Sequence, residues 1–287
     1  MEIELAKIIF LCLAFAFGAI FGSFACCQAW RLHLKEVDRQ KISQTTVGKR
    51  SICMSCGHQL SVLENIPIFS WLLLRGKCKK CGKKIGLSEI LSELSLGLVF
   101  LAIGFLLWPS IISTHSFSWN IVIYYLSCLI LIVALVLMWI LMVYDAKWGK
   151  LPTNILISLI IASLLIFIMR VVSIFISGTA SVDLAPLIYN TLSSIGILAL
   201  ICYLLYKLSK EKLVGSGDWL LALAISVILG HWWLALITLF ISNFTASIYG
   251  IIQKLQTGKS VVFFGPFLII AFVVVLIFQN ALMKLLS

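Results

Sequence analysis

The chain has 287 residues, of which 62% are hydrophobic and 11% charged, and its mean hydropathy is +1.12. A soluble domain with a hydrated surface is excluded by that balance, and most of the chain must have lipid as its solvent. The net charge of +11 would raise nucleic acid as a partner, but 12 of the 22 basic residues fall between Arg31 and Lys84 beside a hydrophobic span, where only Glu36, Asp38 and Glu64 are acidic. That distribution reads as membrane topology and not as a nucleic-acid footprint.

Apolar runs occur at about 5 to 29, 87 to 108, 120 to 143, 152 to 177, 186 to 206, 219 to 232, 233 to 252 and 262 to 283. Most approach the twenty residues needed to cross the hydrocarbon layer, which predicts an all-α polytopic membrane protein of about eight transmembrane helices. Glu2 and Glu4 outnumber Lys7 ahead of the first run, where a secretory signal wants a basic start, so the first helix is expected to be retained with its N-terminus outside. Cytoplasmic segments are then 31 to 86, 144 to 151, 207 to 218 and 253 to 261, which hold 19 of the 22 basic residues. The least sharp boundary lies at His231-Trp232-Trp233, whose aromatic residues suit an interface belt. Three divisions follow: a first helix at 1–30, a basic cytoplasmic loop at 31–86 and a membrane core at 87–287.

The loop carries Cys53-Met-Ser-Cys56-Gly57 and Cys78-Lys-Lys-Cys81-Gly82, two CxxCG knuckles. Four thiolates at this spacing suit a tetrahedral structural zinc site, zinc-ribbon-like and closed to substrate. The alternatives are two disulfides, disfavoured in a reducing cytosol, or four free thiols. His58 could replace one thiolate, although a solvated loop histidine fits as well. Cys12, Cys26, Cys27, Cys128 and Cys202 lie in apolar runs and read as small buried hydrophobes.

Ionisable groups in or beside a span are expensive and usually have a task, which isolates Glu89, Glu93, Asp145 and Asp218. Asp145 closes the third run and is followed by Leu151-Pro152, with Pro152 suited to the first turn of the next helix. Asp218 closes Gly215-Ser-Gly217-Asp218, where two glycines permit close backbone approach just before the sixth run begins at Trp219. Two carboxylates at one depth on separate helices are what aspartic peptidase chemistry requires, since a close pair can share one proton. Each also has a plainer explanation: Asp218 as a helix N-cap, Asp145 as a solvated turn residue. Glu89 and Glu93 share a helix face at i, i+4.

At this point the residues resemble the type IV prepilin peptidase family along nearly the whole chain. Gly22-Ser23-Phe24 with Arg31, Asn65-Ile66-Pro67 with Ser70-Trp71, Arg75-Gly76-Lys77-Cys78, Glu93-Leu94, Asp145 with Leu151-Pro152, Gly215-Ser-Gly-Asp218 and Phe264-Gly265-Pro266-Phe267-Leu268 follow the family's order and spacing. The resemblance implies a GxGD-type aspartic endopeptidase of the bacterial cytoplasmic membrane, with Asp145 and Asp218 catalytic and Glu93, Gly215, Gly217 and Pro152 supporting. It would remove the basic leader of prepilins or pseudopilins at the cytoplasmic face and, in many members, N-methylate the new terminus with S-adenosylmethionine. Two positions depart from the family pattern: Leu220 stands where lysine is usual, and Cys26 where asparagine is usual. Competing classes are a non-enzymatic zinc-ribbon scaffold or transporter, and a GxGD protease acting on other membrane substrates.

Overall fold

A computed structural model describes residues 2–37, 51–53, 55–113, 118–209, 215–258 and 262–285. Asp38, the basic residues of 39–50 and 210–212, and Lys259, which entered the charge argument, lie outside the described residues. Those described form ten α-helices, two isolated antiparallel bridges and no strand. The chain divides into two compact units, Met1–Ile112 and Ser113–Ser287.

In the first unit, α1 (Glu2–Val37) and α3 (Leu87–Ser113) are the long helices, and between them lie the cysteine knuckles and the five-residue α2 (Phe69–Leu73). Gly18 and Gly22, one helical turn apart, let α1 meet α3 at backbone distance. A Cβ on Gly22 would stand 2.5 Å from the Ser92 carbonyl oxygen, and the Ser92 hydroxyl donates to the Gly22 carbonyl at 2.9 Å. Lipid offers helices no hydrophobic drive to associate, so small residues and an interhelical hydrogen bond supply the contact instead.

The second unit contains α4 (Trp119–Trp148), α5 (Thr153–Ser177), α6 (Ala180–Ile195), a π-helical turn at Gly196–Leu200, α7 (Ile201–Ser209), α8 (Ser216–Leu229), α9 (Trp232–Thr257) and α10 (Phe264–Lys284). Seven helical segments among the described residues are long and apolar enough to span, with α6, the π turn and α7 forming one of them. The expected eighth, α8, has only 14 residues, about 21 Å of rise against a hydrocarbon core of about 30 Å. The sequence runs 219–232 and 233–252 differ from the observed helices because Gly230 turns left-handed at φ 61° and ends α8. His231 then caps α9, its Nδ1 accepting from the Trp233 amide at 3.3 Å.

A short helix at membrane depth needs protein around it, and α8 packs against α5, α6, α7 and α10. No residue from Gly217 to Leu229 is exposed. At its C-terminal end, the Arg170 guanidinium of α5 donates to the carbonyls of Val227 at 3.3 Å and of Ile228. A cation at the negative end of a helix satisfies carbonyls that no following turn can reach. The core of the second unit includes Leu135, Met138 and Leu141 of α4, Leu156 and Leu159 of α5, and Leu268 and Phe272 of α10, all at most 1% exposed.

Candidate active site and metal centre

Three helix ends of the second unit meet at the two aspartates. Asp145 lies in the last turn of α4, and Gly149 closes that helix by donating its N–H to the Asp145 carbonyl at 2.8 Å. The side chain is buried at 5% exposure. Asp218 stands in the first turn of α8, buried at 7%. The helix begins at Ser216, so Gly215 is the N-cap residue and Asp218 is the third helical residue, not the cap its sequence position allowed. Its Oδ2 reaches back to accept the Gly215 N–H at 2.9 Å, which satisfies one orphan amide and aims the remaining oxygen away from the helix.

Gly265, the second residue of α10, lies between the two carboxylates. A Cβ built there would be 2.7 Å from Asp145 Oδ2 and 3.5 Å from Asp218 Oδ1, so those oxygens are at most the sum of the two lengths apart. Asp145 feels the charge of Asp218 directly, and the Gly265 N–H faces its carboxylate. Asp145 Oδ2 is buried with no hydrogen-bond partner among the described residues. The N-terminal ends of α8 and α10 both turn their positive dipole ends toward this point, which favours retention of one negative charge. The arrangement is a buried carboxylate pair able to hold a proton between its members and to present one unengaged oxygen to a reactant.

The supporting residues fall into place unequally. A Cβ on Gly217 would be 2.6 Å from Leu151 Cβ, so the Gly215–Asp218 turn rests on the residue before Pro152, and Pro152 caps α5 from just ahead of Thr153. The two aspartate motifs are thus in contact through Gly217 and Leu151. Glu93 belongs to the first unit, where its Oε2 accepts the Ile68 N–H at 2.7 Å and its carboxylate is also hydrogen-bonded by Ser23. Glu89 engages the Ser88 hydroxyl at 3.2 Å. Sequence reasoning passed over Gly265 as a neighbour of both carboxylates, although Phe264-Gly265-Pro266 was visible as a motif. It also gave no site role to Cys202, which is buried on α7 and close enough to interact electrostatically with Asp218.

In the first unit the four knuckle cysteines converge. Their sulfurs all lie within 4.8 Å of one another, with Cys53 and Cys81 at 3.9 Å. The two halves repeat one geometry: Gly57 and Gly82 both adopt φ 68°, and each donates its N–H at 2.9 Å to the carbonyl of the first cysteine of its pair. Zinc bound to four thiolates at about 2.3 Å has sulfur–sulfur edges near 3.8 Å, so the cluster fits a tetrahedral ion with little contraction. All four cysteines are free of disulfides. His58 pairs with Glu64 at 3.4 Å and stands outside the cluster. Among the other cysteines, Cys26 and Cys202 are buried, Cys27 and Cys128 partly so, while Cys12 is exposed on α1, which corrects the reading of all five as core. Cys26, where asparagine was expected, directs its thiol at the Ser88 carbonyl at 3.8 Å.

Comparison with known proteins bears on the family of the chain. Residues 16–107 match the family described as the bacterial peptidase A24 N-terminal domain. A protein of Dichelobacter nodosus named prepilin leader peptidase/N-methyltransferase is 31% identical over 240 residues, covering 82% of this chain and 73% of its own length. One of the same name from Stutzerimonas stutzeri is 31% identical over 226 residues (77% and 69%), and one from Neisseria gonorrhoeae 28% over 240 residues (84% and 75%). No solved structure matches the chain. On the extent of these alignments and the placement of its motifs, the chain belongs to the prepilin leader peptidase/N-methyltransferase family.

Proposed function

We propose that the chain is a membrane aspartic endopeptidase that removes the leader of type IV prepilins or pseudopilins, with Asp145 and Asp218 as its catalytic pair. The observation that carries this reading is the meeting of two buried carboxylates across Gly265. With one proton shared, the ionised carboxylate takes a proton from water as the oxygen attacks the scissile carbonyl. The protonated carboxylate meanwhile donates to the carbonyl oxygen as charge develops there. Collapse of the tetrahedral intermediate returns a proton to the leaving amine and resets the pair. Gly215 holds Asp218 through its N–H, Gly217 and Pro152 set α8 against the α4–α5 connection, and Glu93 orders the loop in the first unit.

The prepilin substrate is supported by the names of the relatives. N-methylation of the new terminus, with S-adenosylmethionine as methyl donor, rests on the second half of those names and is the further part of the proposal. Cys53, Cys56, Cys78 and Cys81 would hold structural zinc, for four thiolates leave no open coordination position for catalysis. The excess of Lys and Arg in 31–86, and separately in the segments that carry the aspartates, supports a cytoplasmic side for each in a bacterial plasma membrane. The division into a first helix (1–30), that loop and a peptidase core (87–287) is part of the same reading.

The deciding experiment is cleavage of a co-expressed prepilin-like substrate in membranes by wild type, Asp145→Asn and Asp218→Asn at matched protein levels. Loss of mature product by roughly 10²–10⁴-fold in both supports the pair. Undiminished cleavage in either would sink the aspartic mechanism and leave that residue a structural part of its helix end. Cleavage confined to unrelated membrane substrates favours a protease of different range.

A further inference from the structure

Between the knuckles, the segment from Val62 to Leu73 shows an unusual surface for a loop. Phe69, Leu72 and Leu73 of α2 are 54, 58 and 66% exposed, and Val62 and Leu63 just before them more so. Trp71 points the other way and lies on Gly76, where a Cβ would be 2.9 Å from its ring, so α2 is fixed to the second knuckle by its inner face. The backbone is forced into this shape. Ile68 and Arg75, on either side of α2, take φ 62° and 50°, a conformation that β-branched isoleucine rarely adopts.

What holds Ile68 there is Glu93 of α3, which accepts its N–H at 2.7 Å. Glu93 is six residues into α3, about 9 Å along its axis. On the outer face of the same helix, Leu87, Leu91, Leu94 and Leu98 are all exposed, a leucine stripe that begins with the first residue. Such a stripe on a spanning helix faces acyl chains, so hydrocarbon contact starts close to Leu87. The segment bonded to Glu93 is therefore held beside the first turns of a lipid-facing helix and not above them. Beside it, Arg75, Lys77, Lys79, Lys80, Lys83 and Lys84 form a basic run, and no acidic residue occurs between Glu64 and Glu89.

We infer that α2 and the turn before it are an interfacial anchor: Phe69, Leu72 and Leu73 sit at the boundary of headgroups and acyl chains on the loop's side of the membrane, with the Arg75–Lys84 run on anionic phospholipid headgroups. Exposed apolar side chains with flanking cations are the pattern of a segment lying in the interface, each basic residue adding attraction to an anionic leaflet. The cysteine cluster is thereby seated against the bilayer surface through Trp71 and Gly76. This inference does not depend on the peptidase activity.

The test is photocrosslinking of the full-length chain in nanodiscs of phosphatidylethanolamine and phosphatidylglycerol, with p-benzoylphenylalanine at Leu72 and, separately, at Leu91 of the leucine stripe. Mass spectrometry should find phospholipid adducts at Leu72 comparable with those at Leu91. Replacing phosphatidylglycerol by phosphatidylcholine should lower the Leu72 yield several-fold and leave Leu91 unchanged, and the same label at Phe69 should repeat the result. Adducts at Leu72 only to protein, whether this chain, a second copy or a co-reconstituted prepilin-like substrate, would overturn the inference. So would absence of adduct while Leu91 labels normally, and equal Leu72 yield in both lipids would overturn the anionic-headgroup assignment.

Discussion

Gly265 and Asp145 stand so close that a single methyl group on the glycine would lie 2.7 Å from the carboxylate oxygen Oδ2. The contact involves the one buried Asp145 oxygen with no hydrogen-bond partner among the described residues, so a side chain at 265 would intrude where the reacting atoms must come. Gly265→Ala is expected to lower prepilin cleavage by about 10²-fold, the scale of a displacement near 1 Å at a reacting centre. Cleavage assays at equal membrane content, with thermal unfolding to confirm an intact fold, check this. Unchanged turnover would mean that the space at Gly265 is not used.

Gly217 and Leu151 make a reciprocal pair. Gly217→Ala places a methyl 2.6 Å from Leu151 Cβ and should push α8, and Asp218 with it, away from Asp145. Leu151→Ala in the same chain removes the far end of that obstacle and should restore part of the activity. A double-mutant cycle on cleavage rate measures the coupling, expected at about 0.5–3 kcal/mol for residues in direct contact. Strictly additive effects would show that the two motifs act separately.

Arg170→Met leaves the Val227 and Ile228 carbonyls without their side-chain donor. The expected loss is about 1–3 kcal/mol of stability, with Arg170→Lys recovering part of it. Thermal unfolding in detergent or nanodiscs provides the measurement. Equal stability of the methionine variant and wild type would show that lipid headgroups or water cap α8 instead.

Metal at the cysteine cluster should be lost on acidification as well as to chelators. Burial raises the Cys53 thiol, but hydrogen bonds from the Ser55 and Cys56 backbone and from the Cys78 and Cys56 thiols outweigh it and bring the group down to about 7. For Cys56 the His58 backbone lowers the value, yet desolvation and the three neighbouring thiols win and push it up to about 11. Binding must therefore strip protons from the cluster, Cys56 most of all, and falling pH opposes it. Metal content per chain, read by mass spectrometry, should be near one at pH 8 and fall toward zero by about pH 5. Retention at the lower pH would argue against thiolate ligation.

The sequence disclosed what depends on spacing. The two CxxCG knuckles predicted the cluster because a knuckle is a local turn, legible in five residues. Helices α1, α3, α4, α5, α9 and α10 were legible because a lipid-spanning run is long and nearly uncharged. What could not be read was distance between separate helices: that Gly265 would enter between Asp145 and Asp218, or that Leu151 would rest on Gly217. The count of about eight apolar helices holds, but the shortness of α8 was not legible, for a related reason. Apolar composition looks the same whether a helix faces lipid or protein, and only the partners of Arg170 and the turn at Gly230 reveal that this one is short and enclosed.

That enclosure has a mechanical side. Helices in contact with acyl chains tilt or shift when a bilayer thickens or thins, whereas no residue of α8 from Gly217 to Leu229 is more than partly exposed. Changes in membrane thickness therefore reach Asp218 largely through neighbouring helices that would have to move together, which shields its register against Asp145 from the composition of the membrane in which the chain resides.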